Sequence, residues 1–223
     1  LYKGFNSSEK YNMLMKINEI FFSLQGEGLL VGTPTIFVRT TGCNLRCTYC
    51  DTQYAYEKGT EMPLQKILNK IRIYPCSDVC ITGGEPLMQK ETPVLIDELL
   101  RRDYRVCLET NGSYRIHPLI GRKSLVVSLD VKCPSSGSNE QMVLENIGFL
   151  RKKDQLKFII KDKNDYEYTK KILSHYSPIC TVFFQPVWGT DPKRLVSWVL
   201  NDGLSVRLSL QLHKLIWGTK RGV

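Results

Sequence analysis

"TIFVRTTGCNLRCTYCDTQYA", residues 35–55, joins a β-branched apolar run to a polar loop that carries Cys43, Cys47 and Cys50. The opening run reads as a strand, because Thr, Ile, Phe and Val fit a pleated, buried surface. The loop supplies thiols, soft ligands for zinc, copper(I) or iron–sulfur clusters. A strand followed directly by its chemistry is the habit of parallel α/β proteins, whose functional residues gather at the carboxyl ends of the strands.

The same alternation continues outward from this stretch. Strands are predicted over 78–83, 104–110, 125–131, 156–161, 180–187 and 205–212, several of them nearly continuously apolar. Helices are predicted over 63–74, 92–102, 140–152, 164–176 and 191–201. In the first helix Leu64, Ile67, Leu68 and Ile71 form one apolar stripe. Pro63 and Pro93 suit first turns. A closed eight-fold barrel needs about 250 residues, more than this chain has. The expected fold is therefore α/β, an incomplete TIM-type (βα)6 barrel with parallel strands; periodicity does not separate it from a doubly wound sheet. Residues 1–14 read as a polar N-terminal arm and 15–223 as a single domain.

Composition narrows the class. The 223 residues include 31 basic and 22 acidic side chains, a net charge of +9, with 42% hydrophobic and 24% charged content. These proportions are ordinary for a soluble globular domain. The basic residues are scattered, which favours a solvated surface over a nucleic-acid track. No secretory signal and no stretch of membrane-spanning length is visible, so a cytoplasmic, reducing setting is expected. There, clustered cysteines read as metal ligands rather than disulfides.

The spacing Cys-x3-Cys-x2-Cys leaves one ligand short of the four that structural zinc takes. The nearest histidine in sequence is His117. A cubane cluster also usually takes four thiolates, and with three it keeps one iron open for a small molecule. Cys80, Cys107 and Cys180 lie within apolar strand patterns and read as small buried hydrophobes.

Other polar residues recur after strands. "TGGEP" (82–86) offers two glycines for close backbone approach to a ligand. "SLQGEG" (23–28) is either a polar turn or, with Arg39, a recognition set. In that set Glu27 would meet an amidine-like N–H pair, and the guanidinium would meet an anion. Asp51 and Thr52 have hard oxygens suited to Mg²⁺, or else cap a turn. "LQLHKLIWG" (210–218) is either packing or a tail that helps close a site.

The three-cysteine loop, with Tyr49 before its third cysteine and "TGGEP" behind it, resembles the radical S-adenosylmethionine superfamily. With "LQGEG", "GTP" (32–34), "CDTQYA", "ETNG", "DVKCPSSG", "FFQPV" and "LQLHKLIWG", the chain from about Met15 to Val223 resembles the 7-carboxy-7-deazaguanine synthase family. The resemblance implies ring contraction of 6-carboxy-5,6,7,8-tetrahydropterin to 7-carboxy-7-deazaguanine with loss of ammonia, on the route to queuosine- or archaeosine-type tRNA bases. It implies a [4Fe–4S] cluster on Cys43, Cys47 and Cys50, and Mg²⁺ on Thr52. S-adenosylmethionine would meet Gly84, Glu85, Ser128, Asp130, Lys132 and Gln185. The pterin would meet Leu24, Gln25, Gly26, Glu27, Arg39 and Thr82. It further implies an external electron donor of flavodoxin or ferredoxin type, no direct nucleic-acid or membrane contact, and a homodimer as one open arrangement. Two other readings stand beside it: an activase that forms a glycyl radical on a partner enzyme, and a zinc-bearing RNA-binding module.

Overall fold

Alternation of apolar and polar residues in Met15–Ile17 starts the longest strand, β1 (Leu14–Leu24), in a computed structural model that describes residues 11–223. Of the arm expected over 1–14, residues 1–10 lie outside the described residues. β1 runs antiparallel to β2 (Pro34–Thr40) on one side and to the short β3 (Thr60–Pro63) on the other. From β2 onward every pairing is parallel, through β4 (Asp78–Gly83), β5 (Arg105–Thr110), β6 (Leu125–Lys132), β7 (Gln155–Ile160), β8 (Thr181–Pro186) and the two-residue β9 (Arg207–Leu208). The order β3-β1-β2-β4-β5-β6-β7-β8-β9 does not return on itself. The sheet is open, as a partial barrel requires.

Helices α1 (Leu64–Ile71), α2 (Thr92–Leu100), α3 (Lys163–Tyr176) and α4 (Pro192–Asp202) follow strands in sequence, and a short α5 (Leu212–Trp217) closes the order. α1 buries Leu64, Ile67, Leu68 and Ile71, the stripe expected from their spacing. α3 starts where Asp162 accepts a hydrogen bond from the Asp165 amide at 3.0 Å, satisfying one of the free donors of the first turn. It ends at Ser177 in the left-handed region, φ 43°.

The main core joins the strands' apolar side chains to the helices, with Ile36, Ile81, Leu108, Leu156 and Phe158 fully enclosed. On the opposite side of the sheet lies a smaller layer of Phe37, Cys80 and Cys107, in direct register across β2, β4 and β5. Small thiols here leave room above them for a cavity, and both are buried as expected.

Three expectations need correction. β1 and β3 were not anticipated, because β1 follows its first buried pair with half-exposed residues rather than a continuous apolar run. Residues 140–152 do not form an α-helix but two 3-10 segments, Asn139–Gln141 and Leu144–Phe149. The buried Asn146 accounts for this: it accepts from the Ile116 amide and donates to the Gly112 and Tyr114 carbonyls, so it ties the segment to the loop after β5. The strand expected over 205–212 contracts to β9, since the chain turns into α5 at Leu212. Among the described residues no helix is long and apolar enough to cross a membrane.

Candidate active site at the carboxyl ends of the strands

A cavity of about 810 Å³ opens where the parallel strands end. That volume suits a small-molecule ligand. Cys43, Cys47 and Cys50 line one side of it, all half-buried and none in a disulfide. Their loop is held by its own backbone. Gly42, at φ 100°, donates to the Ala55 carbonyl at 2.9 Å, and the Thr48 amide reaches Ser136 at 3.1 Å. The Arg46 guanidinium donates to the Cys43 and Leu45 carbonyls, both at 2.8 Å. Among the described residues no three His, Cys, Asp or Glu side chains converge as ligands of one ion. A cubane instead takes each thiolate on a different iron, so the three free thiols suit a cluster.

Gly83 and Gly84 let the end of β4 press against this loop. Gly83 sits at φ 154°, and a Cβ on Gly84 would overlap the Gly42 carbonyl. Glu85 is fully buried; its carboxylate accepts from the Leu87 amide at 2.9 Å, the Thr110 hydroxyl at 2.8 Å and the Asn111 amide at 2.6 Å. It pins the turn after β4 to the turn after β5, and burial pushes its carboxyl up to about 7. Gly84 lines the cavity, whereas the Glu85 side chain does not. Ser128 also lies off the wall, accepting a hydrogen bond from Gln155 at 2.7 Å.

Every other residue named from the sequence is on the wall: Leu24, Gln25, Gly26, Glu27, Arg39, Thr52, Thr82, Asp130, Lys132 and Gln185. Arg39 is held through Nε by Glu19 at 2.7 Å, with the Phe21 and Tyr54 rings 5.9 and 5.8 Å from its guanidinium carbon. Thr52 places its hydroxyl 3.6 Å from the Cys50 sulfur. Glu27 accepts from Lys157 at 2.5 Å, Gln211 at 2.8 Å and Gln185 at 3.1 Å. Burial alone would raise its carboxyl, but the Lys157 charge and the hydrogen bonds hold it down at about 2. The Gln185 Oε1 atom is buried and without a donor. An acceptor left so costs about 1–3 kcal/mol, which points to a ligand that supplies the missing hydrogen.

Glu109 and Lys157 are among the wall residues that were missed. Glu109 accepts from Gln25 at 3.1 Å and from Thr82 at 2.8 Å, presenting a second carboxylate near Glu27's loop. Its signal was its place at the polar end of a buried strand. Lys157 pairs with Glu27 and, at 3.3 Å, with Asp130. A charge inside the apolar run "LKFIIK" was the available sign, since a buried ammonium needs partners.

The tail closes the far side, one of the two roles expected for it. The Leu212 amide donates to the Gly26 carbonyl at 2.9 Å, and a Cβ on Gly26 would overlap the His213 imidazole. Lys214 forms an ion pair with Asp51, next to Cys50 and Thr52. Arg221 stacks 3.7 Å over Tyr54, and Val223 reaches the cavity wall.

The chain is similar to known proteins in sequence and fold. The Radical SAM superfamily matches residues 37–171. The chain is 37% identical to the 7-carboxy-7-deazaguanine synthase of Thermoplasma acidophilum, over 94% of this chain and 100% of that one. It is 40% identical to the synthase of Methanospirillum hungatei, over 91% of this chain and 85% of the relative. Among solved structures, QueE from Escherichia coli superposes with a TM-score of 0.77 at 25% identity, covering 93% of this chain and 100% of that chain. Streptococcus suis SuiB bound to S-adenosylmethionine shares the fold at a TM-score of 0.55 and 11% identity, over 76% of this chain and 45% of that one. With its three thiols, its glycine turn and its carboxylate-lined cavity all on one face, the chain belongs to the 7-carboxy-7-deazaguanine synthase family of the radical S-adenosylmethionine superfamily.

Proposed function

We propose that this chain converts 6-carboxy-5,6,7,8-tetrahydropterin to 7-carboxy-7-deazaguanine and ammonia, as a lyase in the formation of deazapurine-modified tRNA bases. The observation that carries the reading is one cavity holding three free thiols beside the half-buried carboxylates Glu27 and Glu109 and the guanidinium of Arg39. When bound, a [4Fe–4S] cluster with S-adenosylmethionine supplies hydrogen-atom abstraction by a 5′-deoxyadenosyl radical. Everything else falls to the chain's own residues.

Cys43, Cys47 and Cys50 hold the cluster, and Gly84, Asp130, Lys132 and Gln185 hold S-adenosylmethionine. Glu85 acts through the turn it pins, and Ser128 through Gln155. Glu27 and Glu109 take the N–H edge of the pterin, with Gln25 and Thr82 orienting Glu109. Leu24 and Gly26 form the wall beside that edge. Arg39 faces the substrate carboxylate, and Thr52 offers its hydroxyl to a Mg²⁺ ion on the same group. The α5 tail keeps water from the radical. The single electron needed to start comes from an external flavodoxin- or ferredoxin-type donor in the cytoplasm, and the substrate is the free pterin rather than RNA.

An activase would need to admit a peptide backbone, whereas this cavity presents paired carboxylates and a closing tail. Ammonia separates the two. Anaerobically reconstituted protein should release one ammonia per pterin consumed; S-adenosylmethionine cleavage without pterin-dependent ammonia would discard the ring-contraction reading.

A further inference from the structure

Two subsites of the proposed cavity are joined by one buried cation. Lys157 lies on β7 between Leu156 and Phe158, which face the apolar core, while its own side chain lines the cavity and is 8% exposed. Its ammonium stands 2.5 Å from Glu27 Oε2 and 3.3 Å from Asp130 Oδ1. Asp130 Oδ2 is in turn 2.7 Å from Lys132 Nζ. The result is an alternating chain of four charges, Glu27, Lys157, Asp130 and Lys132. It runs from the loop after β1 to the end of β6 and sums to zero.

Such a chain is stiff. Each side chain in it is less than one-fifth exposed, so no member can turn to bulk water without leaving its neighbour unpaired. In a medium of low dielectric, charges this close feel one another strongly. Glu27 has a second oxygen, held by Gln185 and Gln211, so a ligand drawn to Glu27 must rearrange bonds that also involve Gln185. Gln185, assigned above with Asp130 and Lys132 to the cofactor, donates to Glu27 and carries the orphaned acceptor.

We propose that Lys157 is a positioning residue that couples the two subsites. By holding Glu27 and Asp130 at once, it makes occupancy of the pterin subsite raise affinity for S-adenosylmethionine, and the reverse. This rests on the assignment of the Glu27 side to pterin and the Asp130–Lys132 side to S-adenosylmethionine given above. The coupling keeps the cofactor from being committed before substrate is seated. Linkage makes it reciprocal.

The test is calorimetric titration of S-adenosylmethionine into the reconstituted holoprotein, with the cluster left oxidised so that no turnover starts. Titrations are run with and without saturating 6-carboxy-5,6,7,8-tetrahydropterin. Wild-type protein should bind S-adenosylmethionine about tenfold more tightly with pterin present. Lys157→Met should reduce that ratio to about twofold or less, while Lys157→Arg, which keeps the charge, should restore most of it. Lys157→Met leaves two carboxylates facing each other. Should it fail to fold, Lys157→Gln, which keeps N–H donors for both carboxylates without the charge, decides by the same ratio. A Lys157→Met protein that keeps the wild-type ratio overturns the proposal, as does a wild-type ratio of one. A wild-type holoprotein that binds no pterin at all overturns the substrate reading, and the proposal falls with it.

Discussion

Glu27 and Glu85 are both withdrawn from water, yet their carboxyls move in opposite directions. Glu27, next to Lys157, is held at about 2 against an ordinary value of 4.5; Glu85, whose hydrogen-bond donors are all neutral, is pushed up to about 7 by burial, against those bonds and the Lys132 charge. The consequences for stability have opposite signs. The Glu27 contribution is fully present above pH 4.5 and is lost as pH falls from there towards 2. The Glu85 contribution is present below pH 4.5 and is lost as pH rises through about 7. Urea unfolding of the metal-free protein should show Glu27→Gln less stable than wild type at pH 6, with the gap narrowing steadily below pH 4.5. A gap that stays constant down to pH 3 would remove Lys157 as the cause. At this scale the thiols, Arg39 and Glu27 were legible because each is chemically odd in its local setting. Glu109 and Lys157 carried weaker signs, a polar strand end and a charge in an apolar run, and what ties them to the site is a partner 84 or 130 residues away in the chain.

Among the elements, the parallel strands and the helices between them were readable from short apolar runs and one helical stripe. The antiparallel β1 was not, since half of it is only partly covered and its pattern is diluted. Nor was α5. It has six residues, and Lys214 is the one it buries, so no apolar periodicity announces it. Its position depends instead on the absence of a side chain at Gly26, where His213 packs. Gly26→Ala should therefore lift α5 off the loop after β1. The expected outcome is a fall of about tenfold or more in kcat/KM for the pterin, worth about 1.4 kcal/mol or more of transition-state stabilisation. It should also speed proteolytic cleavage of the tail, with iron and sulfide content unchanged. Wild-type kinetics and tail protection in this variant would mean that the tail does not close the site.

The molecule as a whole divides its labour along the chain. The stretch shared with the superfamily, 37–171, carries the cysteine loop, the glycine turn after β4 and the Asp130–Lys132 pair. The flanks add β1 with Gln25 and Glu27 before it, and Gln185 with the α5 tail after it. The loop after the antiparallel β1 leaves the other edge of the sheet, beside Pro34, and reaches the cavity where Glu27 meets Lys157 and Gln185, while the parallel run from β2 to β9 brings the cysteine loop, the glycine turn and Gln185 to one edge. That is why chemistry scattered over two hundred residues could be read as one site before any distance was known. The central claim is that these parts make one ring-contracting enzyme. It is tested most directly by reducing the anaerobically reconstituted protein with S-adenosylmethionine and 6-carboxy-5,6,7,8-tetrahydropterin and weighing the products. The account predicts 7-carboxy-7-deazaguanine from the wild-type chain and none when Cys43, Cys47 and Cys50 are all replaced by alanine. Cleavage of S-adenosylmethionine with the pterin recovered unchanged would contradict it.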